Sequence, residues 1–253
     1  GLAYPTADWT IADLDYAIRQ LTRFSGTGEL LDAGFQNLGR GNGAIFASLA
    51  DMPLMTMTTD GTIPQFDEAG IDPIIDTWAK LESEGYFGAG FFSTDAETVP
   101  PMIVGPTFIG RAFDEDSQPL SPMLLPGGQA GVDTTGFAVS AGTQFPEVAY
   151  AFTKFLTTTP VTATLFFDGY PARRSLQGVD MVEGEGFVFE TGGEESPELQ
   201  AVIQSALENA IPANELIYAN YLESAIEAVI QGTDIQTALR EAEDEIIEVI
   251  LQI

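Results

Sequence analysis

The chain has 253 residues, of which 38 are acidic and nine basic, for a formal net charge of −29. A field of that sign repels nucleic-acid phosphates and anionic lipid heads, so neither is an expected partner. Cysteine and histidine are both absent, which removes disulfides, thiolate and imidazole catalysis and most zinc or copper sites. What survives is carboxylate chemistry, oxygen-ligated Ca²⁺ or Mg²⁺, and plain binding.

A first helix starts at Thr10, where Asp13 three residues on completes a capping-box pattern, and Ile11, Leu14, Ile18 and Leu21 recur at helical spacing. Gly26-Thr27-Gly28 is read as its end, and a glycine-rich, weakly patterned stretch follows through Gly39, Gly41 and Gly43. Asp72-Pro73 reads as an N-cap with proline at the first helical position, opening a helix with Ile74, Ile75, Trp78 and Leu81 inward and Gly85 at its close. Short buried strands are expected at Met102–Val104, Pro122–Pro126 and Gly136–Ser140, the last two separated by a loop from Gly127 to Thr135. Pro146-Glu147 opens a helix with Val148, Ala149, Phe152, Phe155 and Leu156 on one face, and Thr159-Pro160 opens another that ends near Gly169.

After a turn at Tyr170-Pro171-Ala172 the pattern is mostly helical. Ser196-Pro197-Glu198 starts a helix with Leu199, Ile203 and Leu207, and Pro212 interrupts it. A further helix runs from Ile217 to Gly232, a C′ glycine. Thr233 with Gln236 is a capping-box candidate for the last helix, with Leu239, Ala242, Ile246 and Val249 inward. Short strands mixed with longer helices, without strict βαβ repetition, predict an α/β protein of irregular topology. No apolar run approaches the roughly 20 residues that span a bilayer, and the opening residues carry no signal-peptide pattern.

Motifs with catalytic content are scarce. Gly39-Arg40-Gly41-Asn42-Gly43 lacks the Gly-Lys-Ser/Thr ending of a phosphate loop and the spacing of a dinucleotide fingerprint. Asp114-Glu115-Asp116 lacks EF-hand spacing and reads as a solvated acidic turn. Paired carboxylates of the glycosidase kind are possible among 38 acids, but no pair stands out. Phe46, Phe108, Tyr218 and Tyr221 are aromatics that could stack on a sugar ring, although each taken alone is more often a core residue.

Several segments, in order, resemble the extracellular solute-binding protein family 1, which includes maltose-binding protein. Tyr4-Pro5-Thr6-Ala7-Asp8-Trp9-Thr10-Ile11-Ala12-Asp13 is similar to the family's proline-then-tryptophan lead into a helix. Met102 to Phe108 resembles its strand ending in Gly-Pro-aromatic, and Gly136 to Leu156 its strand followed by a helix that begins Pro-Glu-x-Ala. Gly169 to Ser175 resembles the Pro-Ala-Arg crossing segment, and Leu222 to Leu239 the closing helices. The resemblance implies a periplasmic-binding-protein-like type II fold, two α/β lobes joined by crossing strands. It assigns 2–132 to the first part of the C-terminal lobe, 133–169 to a portion of the N-terminal lobe, and 170–253 to the second, mostly helical part of the C-terminal lobe. The N-terminal lobe would then be incomplete here, whether the chain is a fragment or a short natural form.

The resemblance implies a non-enzymatic component of an ABC importer, extracytoplasmic, that traps a small solute by hinge closure and delivers it to the permease subunits. The implied cargo is a sugar or oligosaccharide, with no prosthetic group and no metal. Position by position, Phe108 falls beside the aromatic that packs on ligand, and Thr107 stands where sugar binders can carry that aromatic. Tyr218 and Tyr221 lie near the aromatic of a late helix, and Phe46 in a loop region facing the cleft. Thr134, Thr135 and Gly136 would offer polar and backbone groups from the cleft floor. Arg173, at the crossing, would either bind ligand or tie the hinge. Two rival readings come from the residues alone: a polyamine or other cation binder, favoured by the acidity, and a carboxylate-dependent glycoside hydrolase. A purely structural acidic surface protein is a third, and it would show no saturable ligand binding.

Overall fold

The computed structural model describes residues 2, 4–6, 8–37, 42–58, 61–67, 70–87, 100–105, 121–132, 136–159, 197–213 and 215–250. It is a mixed helix–strand structure in two compact units: Gly1–Gly105, Ser121–Asp133 and Pro197–Ile253 form the first, Pro106–Leu120 and Thr134–Ser196 the second. The strands described form four two-stranded pairs. No helix among the described residues is long and apolar enough to cross a membrane.

In the first unit, α1 (Ile11–Leu21) starts at the expected box: Asp13 N–H donates to Thr10 Oγ1 at 3.3 Å and Thr10 N–H to Asp13 Oδ2 at 2.8 Å. Leu14 and Ile18 are buried, as the spacing requires. The helix stops at Leu21, well before the glycines read as its end. Thr22 turns extended, its hydroxyl donates to Ile18 O at 2.7 Å, and Gly34 N–H donates back to that hydroxyl at 3.1 Å. Gly28, at φ +84°, instead serves the turn between β1 (Arg23–Phe24) and β2 (Leu30–Asp32), an antiparallel pair. β3 (Phe35–Asn37) pairs in parallel with β6 (Met102–Val104), so Ile103 lies opposite Gln36.

The glycine-rich stretch hides a helix that the pattern missed, α2 (Gly43–Ala50), which buries Ile45, Phe46, Ala47 and Ser48 together. Its apolar content is too continuous to show a periodic stripe. β4 (Met55–Thr58) and β5 (Gly61–Pro64) form a hairpin. α3 (Asp72–Ser83) begins and ends where expected, with Ile74, Ile75, Trp78 and Leu81 buried and Gly85 at φ +77° after it. Its N-cap is Ile71, however, and the Asp72 carboxylate accepts a hydrogen bond from Gln236 Nε2.

Pro122–Pro126 is not a strand. A proline at each end removes ladder donors, and two carbonyls nearby are held by side chains: Tyr4 Oη donates to Ser121 O at 3.0 Å and Trp9 Nε1 to Leu124 O at 3.3 Å. The strand lies a few residues on, β7 (Ala130–Val132), inside the expected loop, in parallel with β8 (Ala210–Pro212). α2 seats tightly on β7, since Ser48 Oγ accepts from Gly131 N–H at 2.7 Å and a Cβ at Gly131 would stand 2.6 Å from Ala44 O.

The second unit is described over 136–159. Gly136–Ser140, expected as a short buried strand, is not a strand. α4 (Pro146–Thr158) starts at the expected proline. Its apolar face is only half covered: Ala149 and Leu156 are half-buried, whereas Val148, Phe152 and Phe155 are exposed.

The C-terminal part of the first unit adds α5 (Pro197–Glu208), α6 (Glu215–Ile230) and α7 (Ile235–Ile250). In α5 Ile203 is buried but Leu207 is exposed. α6 closes in a Schellman turn: Gly232 has φ +99° and Thr233 N–H donates to Ala228 O at 2.9 Å. The cap of α7 is Asp234, whose Oδ2 accepts from Thr237 N–H at 3.2 Å; Thr233 is displaced because it belongs to the preceding turn. Leu239, Ala242 and Ile246 face inward, while Val249 is exposed near the end of the helix. α6 packs along α7 and against α3, and one contiguous core joins Phe46, Trp78, Tyr218, Leu222, Ile226, Leu239 and Ile246.

Candidate functional site

Four of the eight residues proposed from sequence, Thr107, Phe108, Thr135 and Arg173, lie outside the described residues. The other four divide by environment. Phe46, three residues into α2, is fully buried and meets Trp78 edge-to-face at 5.3 Å and 89°. Tyr218, on the inner face of α6, is also fully buried; its ring lies 6.0 Å from that of Phe66, and its hydroxyl donates to Gly43 O at 3.3 Å. A hydroxyl taken from water needs such a partner. Phe46 and Tyr218 are therefore brought together, but as a core buttress between α2 and α6, with no surface left for a solute. The loop position expected for Phe46 is corrected by the same fact: the residue is in a helix whose apolar run drives it inward.

Tyr221 lies three residues beyond Tyr218 and is half-buried at the margin of the core. It is the one described member of the aromatic set with exposed ring surface. Gly136, in the second unit, is exposed, and a Cβ there would meet nothing within 4 Å.

A pocket that the sequence reading did not single out opens in the first unit, with a volume of about 420 Å³. Asp8, Trp9, Thr10 and Ile11 line one side, and Leu49, Pro126 and Gly127 the other. The indole is 9% exposed and held by its bond to Leu124 O, so its orientation is set from behind. Asp8 Oδ1 accepts from the Thr6 hydroxyl at 2.6 Å, and that bond holds the Asp8 carboxyl below the usual carboxylate range. The Thr10 hydroxyl is engaged with Asp13 Oδ2 at 2.7 Å. Gly127, at φ +93°, stands on the opposite side. A bulky aromatic between an aspartate and a helix N-cap is the available sequence signal, and it reads as the lead into the first helix.

Among the described residues no group of three or more carboxylates is placed to hold a metal ion. Glu82 on α3 and Glu223 on α6 stand out for another reason. Desolvation at the contact of the two helices, then repulsion from Glu227 and, for Glu82, from Glu223, pushes both carboxyls above their ordinary range. No protein-family model matches the chain, and comparisons with curated proteins and with solved structures likewise find no match.

Proposed function

We propose that the chain is the solute-binding component of an ABC import system, taking a sugar or oligosaccharide into an inter-lobe cleft and handing it to the permease. The observation that carries this reading is the ordered run of segments from Tyr4–Asp13 through Met102–Phe108, Gly136–Leu156 and Gly169–Ser175 to Leu222–Leu239. Local structure supports it at four of those places. A capped helix stands at Thr10, a strand ends at Val104 before Gly105-Pro106, a helix begins at Pro146, and α6 and α7 close the chain as a packed pair. The absence of histidine and cysteine also removes most catalytic competitors.

With Phe46 and Tyr218 in the core, the proposed wall reduces to Thr107, Phe108, Thr135, Gly136, Arg173 and Tyr221. Calorimetric titration of the whole chain with mono- and oligosaccharides tests the reading. One sugar class should bind saturably and be recovered unchanged, and Tyr221→Ala should weaken it about fivefold, the loss of about 1 kcal/mol of ring stacking. Saturable binding of spermidine with no response to sugars would transfer the reading to a cation carrier, which the net charge of −29 favours. Release of reducing sugar would overturn it in favour of a hydrolase.

A further inference from the structure

We propose that the pocket lined by Trp9 and Asp8 binds a small organic cation with an apolar body. All seven lining residues belong to the first unit, so the pocket needs no contribution from the second. It is a depression of about 420 Å³ that is widely open to solvent, so a ligand would lie against its wall. Ile11, Leu49, Pro126 and the indole of Trp9 make the wall largely apolar.

The polar groups of the wall decide what kind of molecule fits. Its two side-chain donors are both engaged: Trp9 Nε1 at Leu124 O and the Thr10 hydroxyl at Asp13. The Asp8 carboxylate accepts one bond from Thr6 and keeps further lone pairs. The wall's remaining side-chain capacity is thus that of an acceptor carrying a full negative charge. An ammonium group satisfies it through a charge-assisted bond. An anion is opposed by Asp8, by Asp13 one turn into α1, and by the charge of the whole chain. These carboxylates outweigh the partial positive charge at the start of α1, which is equivalent to roughly half an elementary charge.

Trp9 and Trp78 are the two tryptophans, and only Trp9 lines the pocket, so a fluorescence change on ligand addition is expected from Trp9 and should be lost in Trp9→Phe. The whole chain is titrated with phenethylammonium, and with 2-phenylethanol as the uncharged molecule of the same shape. We expect a saturable one-to-one change with the cation and none with the alcohol. Asp8→Asn should weaken binding about tenfold, the loss of a hydrogen bond to a charged group. Glu241→Gln, which removes one exposed charge on α7, should leave it unchanged. The inference is overturned by an equal response to the alcohol, by equal weakening in the two variants, which would mean diffuse attraction to an acidic surface, or by no saturable change. Asp8 is exposed and Asn can keep the Thr6 bond, so the variant tests the pocket and leaves the fold intact.

Discussion

α7 in the first unit and α4 in the second carry the same kind of apolar stripe and meet opposite fates. Leu239 and Ile246 are at 0% and 1% exposure, whereas Val148, Phe152 and Phe155 on α4 are at 68%, 60% and 58%. The covering partner of α7 is its neighbour in sequence: α6 ends four residues before it, and the Gly232 turn folds the two together. No such neighbour is joined to α4 by a short turn on its described side. The residues before it, 136–145, contain neither helix nor strand. Periodicity thus establishes that a helix has an apolar face, but burial depends on an element that the helix's own residues do not specify.

The largest expected effect separates the two regions directly. Phe46→Ala should cost about 3–5 kcal/mol in denaturant unfolding, because the ring is sealed against Trp78 and its removal leaves a cavity. Phe152→Ala should change stability by no more than about 0.5 kcal/mol, as exposed substitutions do. A cost at Phe152 matching that at Phe46 would mean that α4 is covered in solution, and the contrast would fail.

The same contrast explains what was legible from residues alone. Features encoded within one turn were read correctly: the Thr10–Asp13 box, the proline starts of α3 and α4, and the C′ glycine at Gly232. Features that depend on distant partners were not. Trp9 and Tyr4 hold carbonyls near Pro122–Pro126, and that stretch is no strand. Ala130–Val132, which contains Gly131 and was read as loop, became one because Pro197–Ile253 returns β8 to its side. Two members of the candidate wall, Phe46 and Tyr218, proved to be core residues on the same ground. An aromatic at helical spacing looks identical whether a core or a cleft receives it, and α6 sent Tyr218 to the core and left Tyr221 at its margin.

A smaller effect sharpens the account of how the first unit is held. Gly131→Ala would place a methyl 2.6 Å from Ala44 O and 2.8 Å from Ala44 Cα, both backbone atoms that cannot rotate away. α2 would have to lift from β7, stretching the Gly131–Ser48 bond, at a cost of about 1–3 kcal/mol. Gly136→Ala in the second unit meets no atom within 4 Å and should be silent in the same thermal unfolding assay. Comparable losses at both glycines would show that close packing is not confined to the first unit.

The smallest effect is electrostatic and concerns α3 against α6, a contact inside the well-packed unit that carries its own penalty. Glu82 and Glu223 have carboxyls raised above the unfolded-state value, so the folded state binds their protons more tightly than the unfolded state does. The stability they contribute is fully present below the ordinary glutamate pKa and is lost as pH rises through the raised folded value. Asp13 runs the other way. Its carboxyl is lowered by the bonds from Thr10, so its contribution is present above the unfolded value and fades as pH falls through the folded one. Glu223→Gln should therefore raise the midpoint of urea unfolding at neutral pH and leave it little changed at about pH 4, where the wild-type carboxyl is already largely protonated. Asp13→Asn should lower the neutral-pH midpoint. If Glu223→Gln were destabilising at neutral pH, its carboxylate would be making a favourable contact at the α3–α6 interface, and charge would help to hold the helices there.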